Sequence, residues 1–278
     1  MRLCAIWRYW VTRGNLTEGR ALMAEALAAG DAPPELRRDA LDGAGVLAGE
    51  QGDFAAAREQ FEAMLALARE HGTPARVARA YSNLGNLALY EGDTDEAIRL
   101  YEESTALWRG TGDDRGLSVI TQNLGIAHSG AGHHQRAVEL LEESVVLARR
   151  AGDPANVSSA LRSLGRASLA DGRAGADVLA IVKEALALSW EVGDRPGIVE
   201  CLETVATVVE PESGAELIGA AEALREAAGA ARQPDEEVWV AEAMAALRDT
   251  LGEDALAAAV QRGRSLTLTA AVTRAAEI

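Results

Sequence analysis

A chain of 278 residues with a formal net charge of −16, 48% apolar residues and only 4% aromatics reads as a helical protein whose core is Ala and Leu in close contact. The acidic balance argues against direct nucleic-acid binding, which takes a basic face, and favours a partner carrying positive charge. Cys4 and Cys201 stand alone and no long uninterrupted apolar stretch occurs, so disulfides, membrane spans and a cleaved leader are not expected, and the expected setting is cytoplasmic.

In chain order, the first helix carries Trp7, Tyr9 and Trp10. These rings are expected to pack on the following helix through Leu22 and Leu27, with part of the face left for a homodimer contact. From there a glycine returns every forty residues, at Gly52, Gly92, Gly132 and Gly172, with Gly14 thirty-eight residues before the first. Gly45, Gly85, Gly125 and Gly165 form a second row, and Gly72, Gly112, Gly152 and Gly193 a third. Three glycines per period mark a tightly packed helix, a tight turn and a longer turn.

The unit from Ala75 to Gly112 shows the pattern. Val77, Ala80, Tyr81, Leu84, Leu87 and Ala88 lie at helical spacing through Tyr90, with Pro74 in the first turn. Asp93 or Thr94 caps a second helix whose inward face is Ala97, Ile98, Tyr101, Thr105 and Trp108. The preceding unit repeats this with Gly45, Gly52, Phe54, Ala57, Phe61 and Leu65, and the following one with Gly125, Gly132, Ala137, Leu141 and Leu147. After Glu210-Pro211-Glu212 the beat fades. Residues 1–212 therefore read as stacked repeats and 213–278 as the last repeat helix plus a helical cap. Within the cap, Ser213 is expected to start one helix, Pro234 a second running through Val238, Val240 or Ala241, Met244 and Leu247, and Thr267 or Thr269 a short last one.

The spacing Tyr81, Leu84, Gly85, Gly92, Ala97, Tyr101 resembles the tetratricopeptide repeat, in a form lengthened by about six residues and with Gly-Asp between units at Gly112-Asp113, Gly152-Asp153 and Gly193-Asp194. The resemblance implies an all-α, right-handed, TPR-like superhelical solenoid of helix-turn-helix repeats, period about 40, with a C-terminal helical cap. The opening Ala5–Arg20 segment and the tail motifs Glu216–Glu226, Leu251–Leu256 and Arg262–Leu266 resemble the repeat region of actinobacterial regulators that join an ATPase to repeats and often a LuxR-type DNA-binding domain. No G-x-x-x-x-G-K-[ST] loop occurs, so the chain is expected to be the sensor arm of such a regulator or a free-standing relative.

In such repeats the first helix of each pair forms the inner wall. Asn83, Asn123 and Ser163 share one register there, with Asn86, Ile126 and Arg166 three residues on. A primary amide offers a donor and an acceptor together, as an extended peptide backbone does. The family resemblance implies a peptide-holding role for Asn83 and Asn123; the alternative is that these amides bond neighbouring turns or water. Arg79, Arg162 and Arg166 are expected in the same groove, with Ser82 and Gln122 between them. Arg162 and Arg166, one turn apart, can clamp a carboxylate, the alternative being a solvated helix face. Asp39, Asp42 and Glu50 make one stretch of wall acidic.

His128, His133 and His134 lack a completing ligand, Glu102-Glu103 and Glu142-Glu143 simply recur with the repeat, and no nucleophile stands beside a base and orienter. No catalytic residue, metal or cofactor is expected. The expected function is a protein- or peptide-binding scaffold in a transcriptional or signalling regulator. The alternative is a small-molecule effector site within the superhelix, marked by a closed, aromatic-lined cavity rather than a long open channel.

Overall fold

The structure, a computed structural model, describes residues 7–28, 32–229, 232 and 234–278. Cys4 lies outside them. Among these residues the chain is helical and contains no strand, and it divides into two compact units, Met1–Gly132 and His133–Ile278.

The first unit contains α1 (Trp7–Arg13), α2 (Leu16–Ala28), α3 (Pro34–Glu50), α4 (Phe54–His71), α5 (Pro74–Tyr90), α6 (Thr94–Arg109) and α7 (Asp114–Gly130). From α2 onward each helix packs on the next. The turns explain the alternation of helix and break. Gly52 and Gly92 take φ of 74° and 81°, the left-handed region open to glycine at little cost. The aspartate that follows each then caps the next helix: Asp53 accepts from the Ala56 amide and Asp93 from the Glu96 amide, at 3.2 and 3.1 Å. Asp113 does the same for α7, accepting from the Arg115 and Gly116 amides. Of the alternatives at the start of α6, Asp93 is thus the cap and Thr94 the first helical residue.

Close helix packing accounts for the second glycine row. A Cβ on Gly85 would stand 2.6 Å from Tyr101 Cε1, and one on Gly45 would collide with the Phe61 ring. The rings of α4 and α6 therefore pack directly against the backbones of α3 and α5. At the start of the chain Trp10 is buried with Met23, Ala40 and Leu47, and Trp7 and Leu27 pack on that cluster. Leu22, expected to join it, is exposed, as is Tyr9. The inward stripe of α2 runs Gly19, Met23, Leu27, and Leu22 lies a quarter-turn away from it.

The second unit contains α8 (His134–Arg150), α9 (Pro154–Ala170), α10 (Gly175–Val192), α11 (Arg195–Ala206), α12 (Pro211–Ala228), α13 (Pro234–Leu251), α14 (Glu253–Arg264) and α15 (Leu268–Glu277). Asp153 and Asp194 cap α9 and α11 in the manner of Asp113. Helix α12 lies between α11, α13 and α14, and α15 packs across α10, α11 and α12. The α12–α14 crossing is close because Gly219 faces the Val260 backbone and Gly263 the Glu216 backbone. Helix α12 begins earlier than the expected Ser213: Pro211 occupies its first turn with Glu210 as N-cap, the fixed proline φ being already helical. In α13 the buried positions are Val240 and Leu247, while Val238 points outward. Thr267, not Thr269, caps α15 through the Ala270 amide. No helix among the described residues is long and apolar enough to cross a membrane.

Candidate functional site

The first helices of successive repeats in the first unit are tied by side chains. Asp42 on α3, 7% exposed, accepts from Arg79 Nη2 at 2.7 Å on one carboxylate oxygen and from Asn83 Nδ2 at 2.6 Å on the other, both donors lying on α5. A carboxylate only accepts, so the nitrogen of Asn83 is committed to Asp42 and its oxygen is left over. Asn86, one turn further along α5, accepts through Oδ1 from the Tyr101 hydroxyl at 2.6 Å and from Asn123 Nδ2 of α7 at 3.4 Å. Asn83 Oδ1, Asn86 Nδ2 and Asn123 Oδ1 have no partner among the described residues, which leaves an acceptor, a donor and an acceptor across two adjacent helices.

Arg79, Asn83 and Asn86 also line a cavity of about 290 Å³, whose other walls include Trp7, Asp42, Glu50, Phe61 and Tyr90. The Tyr90 ring, 66% exposed, stacks on Phe54 with centroids 6.3 Å apart and planes 13° from parallel. Partial burial, and after it the negative charge of Glu50, raises the Tyr90 hydroxyl above the usual phenol range. Glu50 itself has no ion-pair partner among the described residues, whereas the charge of Asp42 is met by Arg79.

Other candidates sit differently. Ser82 bonds Ser104 of α6 at 2.9 Å, and its hydroxyl also reaches the Ala78 carbonyl at 3.2 Å, so it closes α5 on α6. Gln122, at the same register of α7, is only 8% exposed. Arg162, the third member of that register, is 13% exposed at its side chain and occupied within the second unit: Nη1 lies 3.0 Å from Asp194 and Nε 3.0 Å from Glu200. This row shares a helix stripe with Ala78 and Gly85 on α5 and with Ser158 and Gly165 on α9, which pack inward, and that explains its burial. Arg166 stands with its guanidinium carbon 5.9 Å from the Trp239 ring centroid. The pair 162 and 166 is therefore divided between an internal ion network and a cation–π contact.

Of the acidic stretch expected from the sequence, Asp42 and Glu50 line the cavity. Tyr90 lies forty residues after Glu50 at the same register, a periodic signal present in the chain but not among the expected site residues; Trp7 comes from a helix outside the forty-residue register, which carries no such signal. In the second unit Glu203, 3% exposed, is gripped by Arg225 at 3.0 Å and Arg232 at 3.1 Å, and Arg225 also reaches Glu236 at 3.1 Å. Only tertiary packing brings these residues together. No group of three His, Cys, Asp or Glu side chains among the described residues is placed to hold a metal ion.

Residues 76–150 match the tetratricopeptide-repeat family. No curated protein matches the sequence. Among solved structures, the chain is similar to BtubC (BKLC) of P. vanneervenii, with 17% identity, a TM-score of 0.63, and coverage of 79% of this chain and 92% of that one. It is also similar to a signal transduction ATPase with numerous domains (STAND) protein with a tetratricopeptide-repeat sensor from Pyrococcus horikoshii, at 13% identity and TM-score 0.70, over 93% of this chain and 41% of that one. A Rap protein complexed with Competence and Sporulation Factor aligns at 12% identity and TM-score 0.57, over 93% of this chain and 64% of that one. The architecture is thus an all-α, tetratricopeptide-like array of helix-turn-helix units, with the repeat family itself matched over residues 76–150.

Proposed function

We propose that the chain is a non-catalytic scaffold whose first unit holds an extended peptide segment of a partner protein across α5 and α7. The observation that carries this is the trio of unused amide atoms, Asn83 Oδ1, Asn86 Nδ2 and Asn123 Oδ1. Main-chain amides and carbonyls of an extended strand supply complementary donors and acceptors whatever its side chains. The regulatory setting, as the sensor arm of a larger signalling protein, rests on the end motifs and on the alignment with the STAND protein's sensor-bearing chain.

The test is retention of a degenerate nonapeptide pool by the immobilised chain. Each hydrogen bond contributes roughly 0.5–1.5 kcal/mol net, so Asn123→Ala should lower retention about two- to tenfold. Methylating alternate backbone nitrogens of the pool should lower it further. Equal retention of the methylated pool, or indifference to Asn123→Ala, refutes backbone recognition.

The aromatic lining of the cavity by Trp7, Phe61 and Tyr90 favours a second reading, a small organic effector bound there. Native mass spectrometry of the freshly purified chain distinguishes the two: a retained small mass lost on Tyr90→Ala supports the effector.

A further inference from the structure

We infer that the cavity between α3 and α5 is a pocket for a basic side chain, an arginine or lysine of the bound peptide; this rests on the peptide reading above and specifies its anchor. Three charges and two rings decide the chemistry. Asp42 and Arg79 neutralise each other at 2.7 Å, which leaves Glu50 as the uncompensated charge on the cavity wall. Trp7 and Tyr90 supply aromatic rings on the same wall, and the faces of such rings attract cations. The Tyr90 hydroxyl is raised first by burial and then by the charge of Glu50, so the carboxylate stands near that ring.

A volume of about 290 Å³ admits one long side chain. An acidic side chain would meet Glu50 and the Asp42 carboxylate with only the already paired Arg79 to offset them. A neutral one would leave Glu50 unanswered. The net charge of −16 acts in the same direction at longer range, drawing a basic segment to the surface.

The experiment uses the full chain at about 0.15 M salt, where surface attraction beyond about 8 Å is screened. Degenerate nonapeptide pools are fixed at the central position as arginine, citrulline or glutamate, citrulline being the neutral isostere of arginine. The arginine pool should be retained at least fivefold more than the citrulline pool and more still than the glutamate pool. Glu50→Gln should abolish that preference, and Glu91→Gln, a charge change on α5's C-cap outside the cavity lining, should leave it intact. Equal retention of arginine and citrulline pools overturns the proposal, as does a preference that survives Glu50→Gln.

Failure of the pocket and failure of the peptide wall separate cleanly. Arginine and citrulline pools retained alike, and both weakened by Asn123→Ala, leave the wall and remove the pocket. Ethylguanidinium chloride is the remaining arm: if it saturates a Trp7 fluorescence change, judged against Trp7→Phe, while no pool is retained, the occupant is a small cation and the peptide assignment is overturned.

Discussion

Asn83 Nδ2 lies 2.6 Å from Asp42 Oδ1, so the asparagine proposed to offer its oxygen to a peptide is also the stitch between the first helices of two successive repeats. One amide serves both roles because its nitrogen and oxygen face different partners. Holding the nitrogen fixes the oxygen's direction before any ligand arrives, which lowers the ordering cost of binding.

On that proposal, loss of Asp42 should damage structure and binding together. Asp42→Ala removes the partner of the half-buried Asn83 donor, while the exposed Arg79 guanidinium turns to water, at a cost of about 1 kcal/mol. Asp42→Asn retains one acceptor for one of the two donors but turns an NH₂ group toward the other, and should fall between Asp42→Ala and the native chain. Urea unfolding with an unchanged slope measures both. A midpoint for Asp42→Ala equal to that of the native chain contradicts this role.

Gly85 and Gly92 are both glycines of the repeat, yet alanine should fail at each for a different reason. At Gly92, φ of 81° costs an L-residue about 1–2 kcal/mol although the space is empty. At Gly85 the conformation is ordinary and the space is filled by Tyr101, so Gly85→Ala should cost about 1–3 kcal/mol through overpacking. A Tyr101→Leu background should relieve the second penalty and leave the first untouched. Additivity of Gly85→Ala with Tyr101→Leu, within about 0.5 kcal/mol, rules out this contact as the cause.

These two glycine roles show what the amino-acid order makes legible. Turn glycines, capping aspartates and inward rings recur at forty-residue spacing because each satisfies a local requirement of every unit, and local requirements repeat. The Asn83–Asn123 register was readable for the same reason. What the register does not say is which way a polar position turns once helices pack: Ser82 and Asn83 are neighbours in sequence, but 100° around the helix one meets Ser104 and the other Asp42. Trp7 in the cavity wall and the Glu203–Arg225–Arg232 cluster come from non-repeating segments, where no periodicity is available to align them.

His133 occupies the place after Gly132 where Asp53 and Asp93 follow Gly52 and Gly92, and its side chain makes no capping hydrogen bond to α8. His133→Asp restores an acceptor for the first-turn amides and places a negative charge at the positive end of the helix dipole. The expected gain is about 0.5–2 kcal/mol in thermal or urea unfolding at neutral pH. The gain should shrink as acid protonates the new carboxylate. No change in stability at pH 7 means that α8 is already capped by other means.

Cys201 on α11 is fully buried, and burial pushes its thiol up from 9.0 to about 12, the positive charge of Arg162 opposing the shift. In the unfolded chain the same thiol ionises near its ordinary value. Above pH 9 the unfolded state therefore binds fewer protons than the folded state, and stability falls as pH rises toward the folded value. One pH unit above 9.0 the loss attributable to this group is about 1.4 kcal/mol. Tyrosines also titrate in this range, so the measurement is a difference: urea unfolding at pH 8 and pH 10, comparing Cys4→Ser with Cys4→Ser, Cys201→Ala. The Cys201-containing protein should lose about 1.4 kcal/mol more between the two pH values than the alanine variant, whatever the absolute cost of the substitution. Under native conditions at pH 8 its thiol should resist a disulfide reagent until the chain unfolds, because a buried neutral thiol is neither accessible nor nucleophilic. Parallel pH dependences of the two proteins, or prompt modification in the folded state, would show that the α11 interior admits solvent to Cys201.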